Sequence, residues 1–280
     1  SFRAMIAYNL EPEIYSITGL QAFLKIAQHQ NISHYPIHIK LDTGMHRLGF
    51  EPHLIFELCS LLKNNNFVKV KSVFSHLAAS DDLQFDDFTK LQFQRFDAMY
   101  SELEKVLPTK PIRHILNTSG IFNYAEKQME MVRLGIGLYG IGNSEQELKV
   151  LENVSTLKTI ISQIREVSAE ESIGYRRRYK VTQKMKVATI PIGYADGIRR
   201  AWGNEKGFVT INNQKATILG SICMDMMMVD VTHISCKTGD EVIIFGKNPK
   251  VTDMACVIGT IPYEILTGIS QRVKRIFYKN

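Results

Sequence analysis

Residues 36–50 read PIHIKLDTGMHRLGF. The first half alternates as a strand does, with Ile37, Ile39 and Leu41 on one side and His38, Lys40 and Asp42 on the other. A tight polar turn, Asp42-Thr43-Gly44, ends the strand, and His46 and Arg47 follow within three residues of it. A strand whose carboxyl end delivers Lys40, Asp42 and Arg47 into a loop is how parallel α/β folds place active sites. Taken alone, a strand ending in a solvated turn explains the same stretch equally well.

Working outward, the pattern repeats. EIYSI at 13–17 reads as a strand, and TGLQAFLKIAQHQ at 18–30 as a helix with Thr18 as its cap. A helix over 51–64 has Pro52 in its first turn, and a strand over 68–75 runs into His76. A long amphipathic helix follows over 86–106. Then come a strand over 112–117 ending in Asn117-Thr118-Ser119-Gly120, a short helix near 121–126, and a glycine-bearing strand over 130–141. Residues 1–144 therefore alternate strand and helix five times, the mark of a parallel sheet covered by helices. The expected class is α/β: an incomplete (β/α)8 TIM barrel of about five strands. Five strands cannot close an eight-stranded barrel, so either the sheet is open or three strands lie elsewhere. From residue 145 to 280 the reading is a mostly β domain, with strands over 157–167, 186–192, 207–219, 226–231 and 241–245, and helical spacing returning only at 252–260.

Composition narrows the function. The 280 residues are 45% hydrophobic and 22% charged, an ordinary globular balance. The net charge of +6 is dispersed, apart from Arg176-Arg177-Arg178 and the tail carrying Arg272, Lys274, Arg275 and Lys279. That argues against nucleic acid as a partner and favours small anions. Four widely spaced cysteines without a CxxC pair read as free thiols, with no metal site. No run is apolar enough to span a membrane and there is no signal peptide, so a cytoplasmic protein is expected. The chain opens without Met, inside a helix over Phe2 to Leu10.

Parallel strands would bring Lys40, Asp42, Arg47, His76, Asn117, Thr118, Ser119, Arg133 and Gly135 to one end of the sheet. Hydroxyls beside glycine backbone suit a phosphate. Each residue alone is more simply structural; the joint pattern raises the functional reading. In the second half SIGYRRRY (172–179), PIGYADGIRR (191–200), GSICMDMMMVDV (220–231) and IPYEILTGISQRV (261–273) stand out. The methionines read most simply as core filler.

Together, IKLDTGMHRLG, SHLA, HILNTSG, VRLGIGLYG, SIGYRRRY, IGYADGIRR, GSICMDM and IPYEILTGIS resemble the alanine racemases, fold-type III enzymes that use pyridoxal 5'-phosphate (PLP). The motifs stand in the family's order over nearly the whole chain. The resemblance implies a homodimer of a barrel plus a β domain, with L- and D-alanine as substrates and the active site shared between subunits. It matches Lys40 to a lysine often carbamylated in the family, which would support Arg47, and Arg47 to a contact of the cofactor's phenolic oxygen and the substrate carboxylate. His76 would lie against the cofactor ring and Arg133 would face its nitrogen. Thr118, Gly135, Ile136 and Tyr263 match the contacts of the cofactor phosphate, and Asn117 is a further expected cofactor-binding residue. Tyr175, from the partner subunit, would remove the α-proton of L-alanine. A phenol starts near pKa 10, so Tyr175 needs cationic help, which Arg200 or another arginine nearby could give. Met224 and Asp225 would meet substrate, and Tyr194 would line the approach.

Two substitutions depart from the pattern: Thr118 for the usual Ser, and Arg176 for the usual Gly after the tyrosine. A stretch like VKANAYGHG, which carries the lysine that bonds the cofactor, is not found in the 280 residues. The leading expectation is therefore part of an alanine racemase serving peptidoglycan synthesis, inactive alone, and compatible with a piece of a Mur ligase–racemase fusion. The alternatives are a racemase or decarboxylase for another amino acid, and a non-catalytic dimerisation or binding module of racemase shape.

Overall fold

A computed structural model describes residues 1–278; Lys279, counted in the basic tail, lies outside the described residues. The chain divides into two compact units. One is Ser1–Leu138 with Gly142–Val150, and the other is Tyr139–Ile141 with the chain from Leu151 onward.

In the first unit, α1 (Phe2–Ala7) leads to β1 (Glu13–Ile14), α2 (Ile17–His29), β2 (Tyr35–Lys40), α3 (Ile55–Leu62), β3 (Val68–Phe74), α4 (Asp86–Glu104), β4 (Ile112–His114), α5 (Thr118–Asn123) and α6 (Glu145–Val150). The strands pair in parallel in the order β1-β2-β3-β4. Ile37 and Ile39 of β2 and Val70 and Val73 of β3 are buried in one core with Leu20 and Phe23 of α2, Leu58 of α3, and Phe96 and Leu103 of α4. Alternation sends His38 and Lys40 to the opposite side of the sheet. Between β2 and β3 the register slips at Lys71: Ile37 pairs with Val70 but His38 pairs with Ser72. This bulge turns Ser72 to the side where His38 lies.

Three expectations are corrected here. The cap of α2 is Ser16, whose hydroxyl accepts from the Gly19 amide, not Thr18. The helix after β4 begins at Thr118, because Asn117 caps it by accepting from the Gly120 amide. Residues 130–141 form no strand, so the parallel sheet of the described residues has four strands, not five. The segment runs beside β4 with only two backbone bonds, Met131 N–H to Arg113 O and Arg133 N–H to Leu116 O. The amides of Gly135 and Gly137 then turn to the Thr118 hydroxyl, at 3.0 and 3.2 Å, and the chain enters a 3₁₀ turn at Ile136–Tyr139.

The second unit adds β5 (Leu157–Ile160), β6 (Gln163–Val167), β7 (Ser172–Ile173), β8 (Tyr179–Lys180), β9 (Met185–Ile190), β10 (Phe208–Ile211), β11 (Gln214–Leu219), β12 (Met227–Asp230), β13 (Glu241–Phe245), α7 (Val251–Val257) and α8 (Pro262–Gly268). The seven-stranded sheet runs β5-β13-β10-β11-β12-β9-β6, and every pairing is antiparallel. Its end strands are neighbours in sequence, joined only by Ile161 and Ser162. The expected single strand over 157–167 is thus bent, with one half on β13 and the other on β9, and the sheet curls until its edges meet on one segment. The four cysteines are free thiols. No helix among the described residues is long and apolar enough to cross a membrane.

Candidate active site

The carboxyl ends of β2, β3 and β4 gather a cluster centred on Arg133. Its guanidinium is largely buried and donates to three backbone carbonyls: His114 O at 3.2 Å, Ser75 O at 2.5 Å and Ile115 O at 3.3 Å. It also donates to His114 Nδ1 and, at 3.4 Å, to His76 Nδ1. No carboxylate among the described residues binds it, though the charge of Glu13 acts on it. Burial lowers its pKa to about 10, which still leaves it charged at neutral pH. Both imidazoles are held neutral. Burial and then the Arg133 charge push His76 down to about 4 and His114 to about 3. His114 stacks on Phe74, with ring centres 4.8 Å apart, and Arg133 lies over the same ring. The result is a cation surrounded by acceptors that cannot neutralise it.

Lys40, the expected support of Arg47 when carbamylated, is 9% exposed, and its unmodified Nζ sits 2.9 Å from Glu13 Oε1. Arg47 is exposed and makes no hydrogen bond or ion pair among the described residues; its charge is felt at His76. Asp42 is structural: burial alone would raise its pKa, but the amides of Gly44 and His46 outweigh that and lower it. Asn117 commits its side-chain oxygen to the α5 cap and to Ser80 Oγ, 2.7 Å away. Thr118 is 3% exposed, and its hydroxyl meets the Gly135 and Gly137 amides beside buried Ile136. Sequence reading missed Glu13 and His114. The signal for both was alternation: each lies on a strand beside a residue already singled out.

The second unit holds the other expected residues. Tyr175 is 69% exposed, on the loop joining β7 to β8. The next two residues, Arg176 and Arg177, adopt φ of 58° and 51°, in the left-handed region. That region disfavours any residue with a Cβ, which accounts for the glycine the family usually places after the tyrosine. Tyr175 lines a groove of 710 Å³ with Arg165, Met224, Asp225 and Met226. Arg200 does not line it; the arginine in that groove is Arg165. Arg200 instead lines a separate hollow with Arg178 and Lys206. The loop at Tyr194 is laced to the loop at Met224: Tyr194 N–H donates to Cys223 O and Ala195 N–H to Met224 O, both at 3.0 Å. A Cβ on Gly193 would fall 2.4 Å from those same two carbonyls, so only glycine permits the lacing. Arg272, not foreseen from sequence, ties both loops, with Nε 2.7 Å from Asp196 and Nη2 2.6 Å from Asp225. The Met224 N–H has no hydrogen-bond acceptor among the described residues. Tyr263 is half exposed at the start of α8.

Comparison with known proteins assigns the family. The profile described as "Alanine racemase, N-terminal domain" matches residues 1–143, and "Alanine racemase, C-terminal domain" matches 154–277. Alanine racemase 1 of Clostridium acetobutylicum is 37% identical over 287 aligned residues, covering 99% of this chain and 73% of that protein. The alanine racemase of Helicobacter pylori strain Shi470 is 34% identical, covering 98% and 73%. Among solved structures, alanine racemase of Clostridium difficile 630 superposes with a TM-score of 0.88 at 33% identity, over 97% of this chain and 72% of that one. The enzyme of Bartonella henselae, solved with covalently bound pyridoxal phosphate, gives 0.87 at 30% identity, over 99% and 75%. The chain belongs to the alanine racemase family.

Proposed function

We propose that this chain contributes to a PLP-dependent enzyme that interconverts L- and D-alanine and so supplies D-alanine for peptidoglycan. The observation that carries the reading is Arg133: a half-buried, charged guanidinium with neutral histidines and carbonyls around it and no carboxylate of the described residues bonded to it. Such a group suits an uncharged acceptor, as a pyridine nitrogen is, because it donates without giving its proton away. The first unit also fits the remainder of the cofactor. The Thr118 hydroxyl accepts from the Gly135 and Gly137 amides and has its own proton to offer a phosphate oxygen, with Ile136 beside it, and Arg47 is an exposed cation for a phenolic or carboxylate oxygen. When bound, PLP accepts the negative charge that develops at the substrate α-carbon.

In this reading Arg133 holds a proton toward the ring nitrogen without releasing it, and His76 packs as a neutral ring. Tyr175 of one copy takes the α-proton of L-alanine in the site of a second copy, so the working unit is a homodimer. The Met224 N–H and Asp225 meet the substrate, and Arg272 holds Asp225 in place. The lysine that bonds the cofactor is not among these 280 residues: Lys40, the buried candidate, is paired with Glu13. Two measurements test the reading. In a PLP-loaded assembly carrying that lysine, D-alanine should appear from L-alanine faster than D-serine from L-serine, and the reverse order would overturn the substrate. Borohydride treatment of the PLP-soaked chain alone should label no lysine; a labelled lysine would overturn the assignment of the covalent step.

A further inference from the structure

A line of hydrogen bonds leads from Arg133 to the surface of the first unit. Arg133 Nη1 meets His114 Nδ1, and His114 Nε2 lies 3.1 Å from Ser72 Oγ. Ser72 Oγ lies 2.6 Å from His38 Nδ1, and His38 Nε2 lies 2.8 Å from Glu11 Oε2. The other oxygen of Glu11 takes Lys71 Nζ at 2.7 Å. Strands β2, β3 and β4 contribute one member each, and the bulge at Lys71 is what sets Ser72 opposite His38. The inner members are enclosed, Ser72 at 1% and His114 at 4% exposure, whereas the side chains of His38 and Glu11 are 26% and 30% exposed.

The direction of every proton follows from the inner end. A guanidinium only donates, so His114 Nδ1 accepts. His114 is neutral at ordinary pH, which puts its one proton on Nε2, pointing at Ser72 Oγ. With His38 neutral, Ser72 Oγ–H donates to His38 Nδ1, and His38 donates from Nε2 to the Glu11 carboxylate. A proton added to His38 makes Nδ1 a donor. Ser72 then receives two donors, and its own proton loses its acceptor in a buried place, which is unfavourable.

We propose that Glu11, His38 and Ser72 are positioning residues for Arg133, acting through His114, and that the relay makes the seating of Arg133 responsive to a proton taken up at His38. The proposal rests on the reading that Arg133 faces the cofactor ring. The groups facing His38 are Glu11 from the segment before β1, Ser72 and, through Glu11, Lys71 from β3, and His114 from β4, which feels the His38 charge.

The test is a pH titration of the 280-residue chain carrying ¹⁵N-labelled histidine, read at the ring nitrogens. At neutral pH His114 should show a protonated Nε2 and a bare Nδ1, and the neutral form of His38 should show the same. On acidification the His114 Nε2 resonance should move with the His38 midpoint although His114 gains no proton there. In Ser72→Ala that co-movement should vanish. In His38→Asn, whose Oδ1 still accepts the Ser72 proton, the His114 resonance should keep its wild-type neutral position and stay there on acidification. A bare Nε2 on His114, a His114 resonance that ignores the His38 midpoint, or co-movement that persists in Ser72→Ala would overturn the relay. Should Ser72→Ala not fold, the wild type and His38→Asn decide it. Non-covalent PLP retention, read by equilibrium dialysis of the same samples, separates the two ideas. Co-movement without retention removes the cofactor reading and leaves the relay; retention with a stationary His114 does the opposite.

Discussion

Arg133 and Arg272 show two uses of the same side chain. Arg133, in the first unit, is half-buried, has no carboxylate of the described residues bonded to it, and has its pKa lowered to about 10 by desolvation. Arg272, in the second, is exposed and hydrogen-bonded by Asp196 and Asp225, which raise its pKa. A guanidinium between two carboxylates is electrically finished, and its work is to tie two loops together. A guanidinium ringed by carbonyls and neutral imidazoles, on which Glu13 acts only through its charge, keeps much of its own charge for something else. The contrast extends to the units around them. The first gathers buried polar groups beyond its strand ends, and the second presents exposed side chains, Tyr175 above all, on loops that backbone bonds hold together.

This contrast can be broken by measurement. The largest effect is expected at Tyr175. In a racemising assembly Tyr175→Phe should slow conversion of L-alanine by about 10²–10⁴-fold, the range for losing a general base. The urea midpoint should stay put, because the ring is 69% exposed. A tenfold loss or less would remove Tyr175 from the chemistry. Next, Arg133→Leu strands the carbonyls of Ser75, His114 and Ile115 and should destabilise the first unit by about 3 kcal/mol, read from urea unfolding. A near-neutral result would mean that those carbonyls have other donors.

Acid should then distinguish the units. The folded pKa of His114, about 3, lies below the roughly 6.5 of an unfolded histidine. The unfolded chain therefore takes up the proton first as pH falls. The stability tied to His114 is complete above about pH 6.5 and is lost on the way down to about pH 3, at up to about 1.4 kcal/mol per pH unit. His76 adds a similar slope down to about pH 4. The second unit has one histidine, His233, and it is exposed. Amide exchange followed separately in the two units should show the first opening earlier on acidification, and His114→Asn should flatten its slope. The smallest effect is expected at Arg272→Leu, which should leave the urea midpoint within scatter while exchange at the Ala195 and Cys223 amides rises. Unchanged exchange there would show that backbone bonds alone hold the loops.

Much of this was legible in the chain itself. Two-residue alternation at 36–42 and 68–75 and the helical spacing of 86–106 placed the main elements of the first unit to within a few residues, because those periods follow from backbone geometry. The strand misjudged at 130–141 shows the limit. Its apolar and glycine alternation reads as sheet, but the Thr118 hydroxyl, seventeen or more positions earlier, draws the Gly135 and Gly137 amides out of any ladder. Likewise, nothing local to Lys40 says that its partner is Glu13 and not Arg47. The motifs were enough to identify the racemase family, since residue identities and their order are what a family preserves in sequence. Only the tertiary structure decided who pairs with whom: that Arg133 bonds no carboxylate of the described residues, that Arg200 does not line the Tyr175 groove, and that one bulge at Lys71 joins Ser72 to His38. The reason is that hydrogen bonds and charge pairs act over a few ångströms between residues tens of positions apart, and sequence spacing carries no record of which ones will meet.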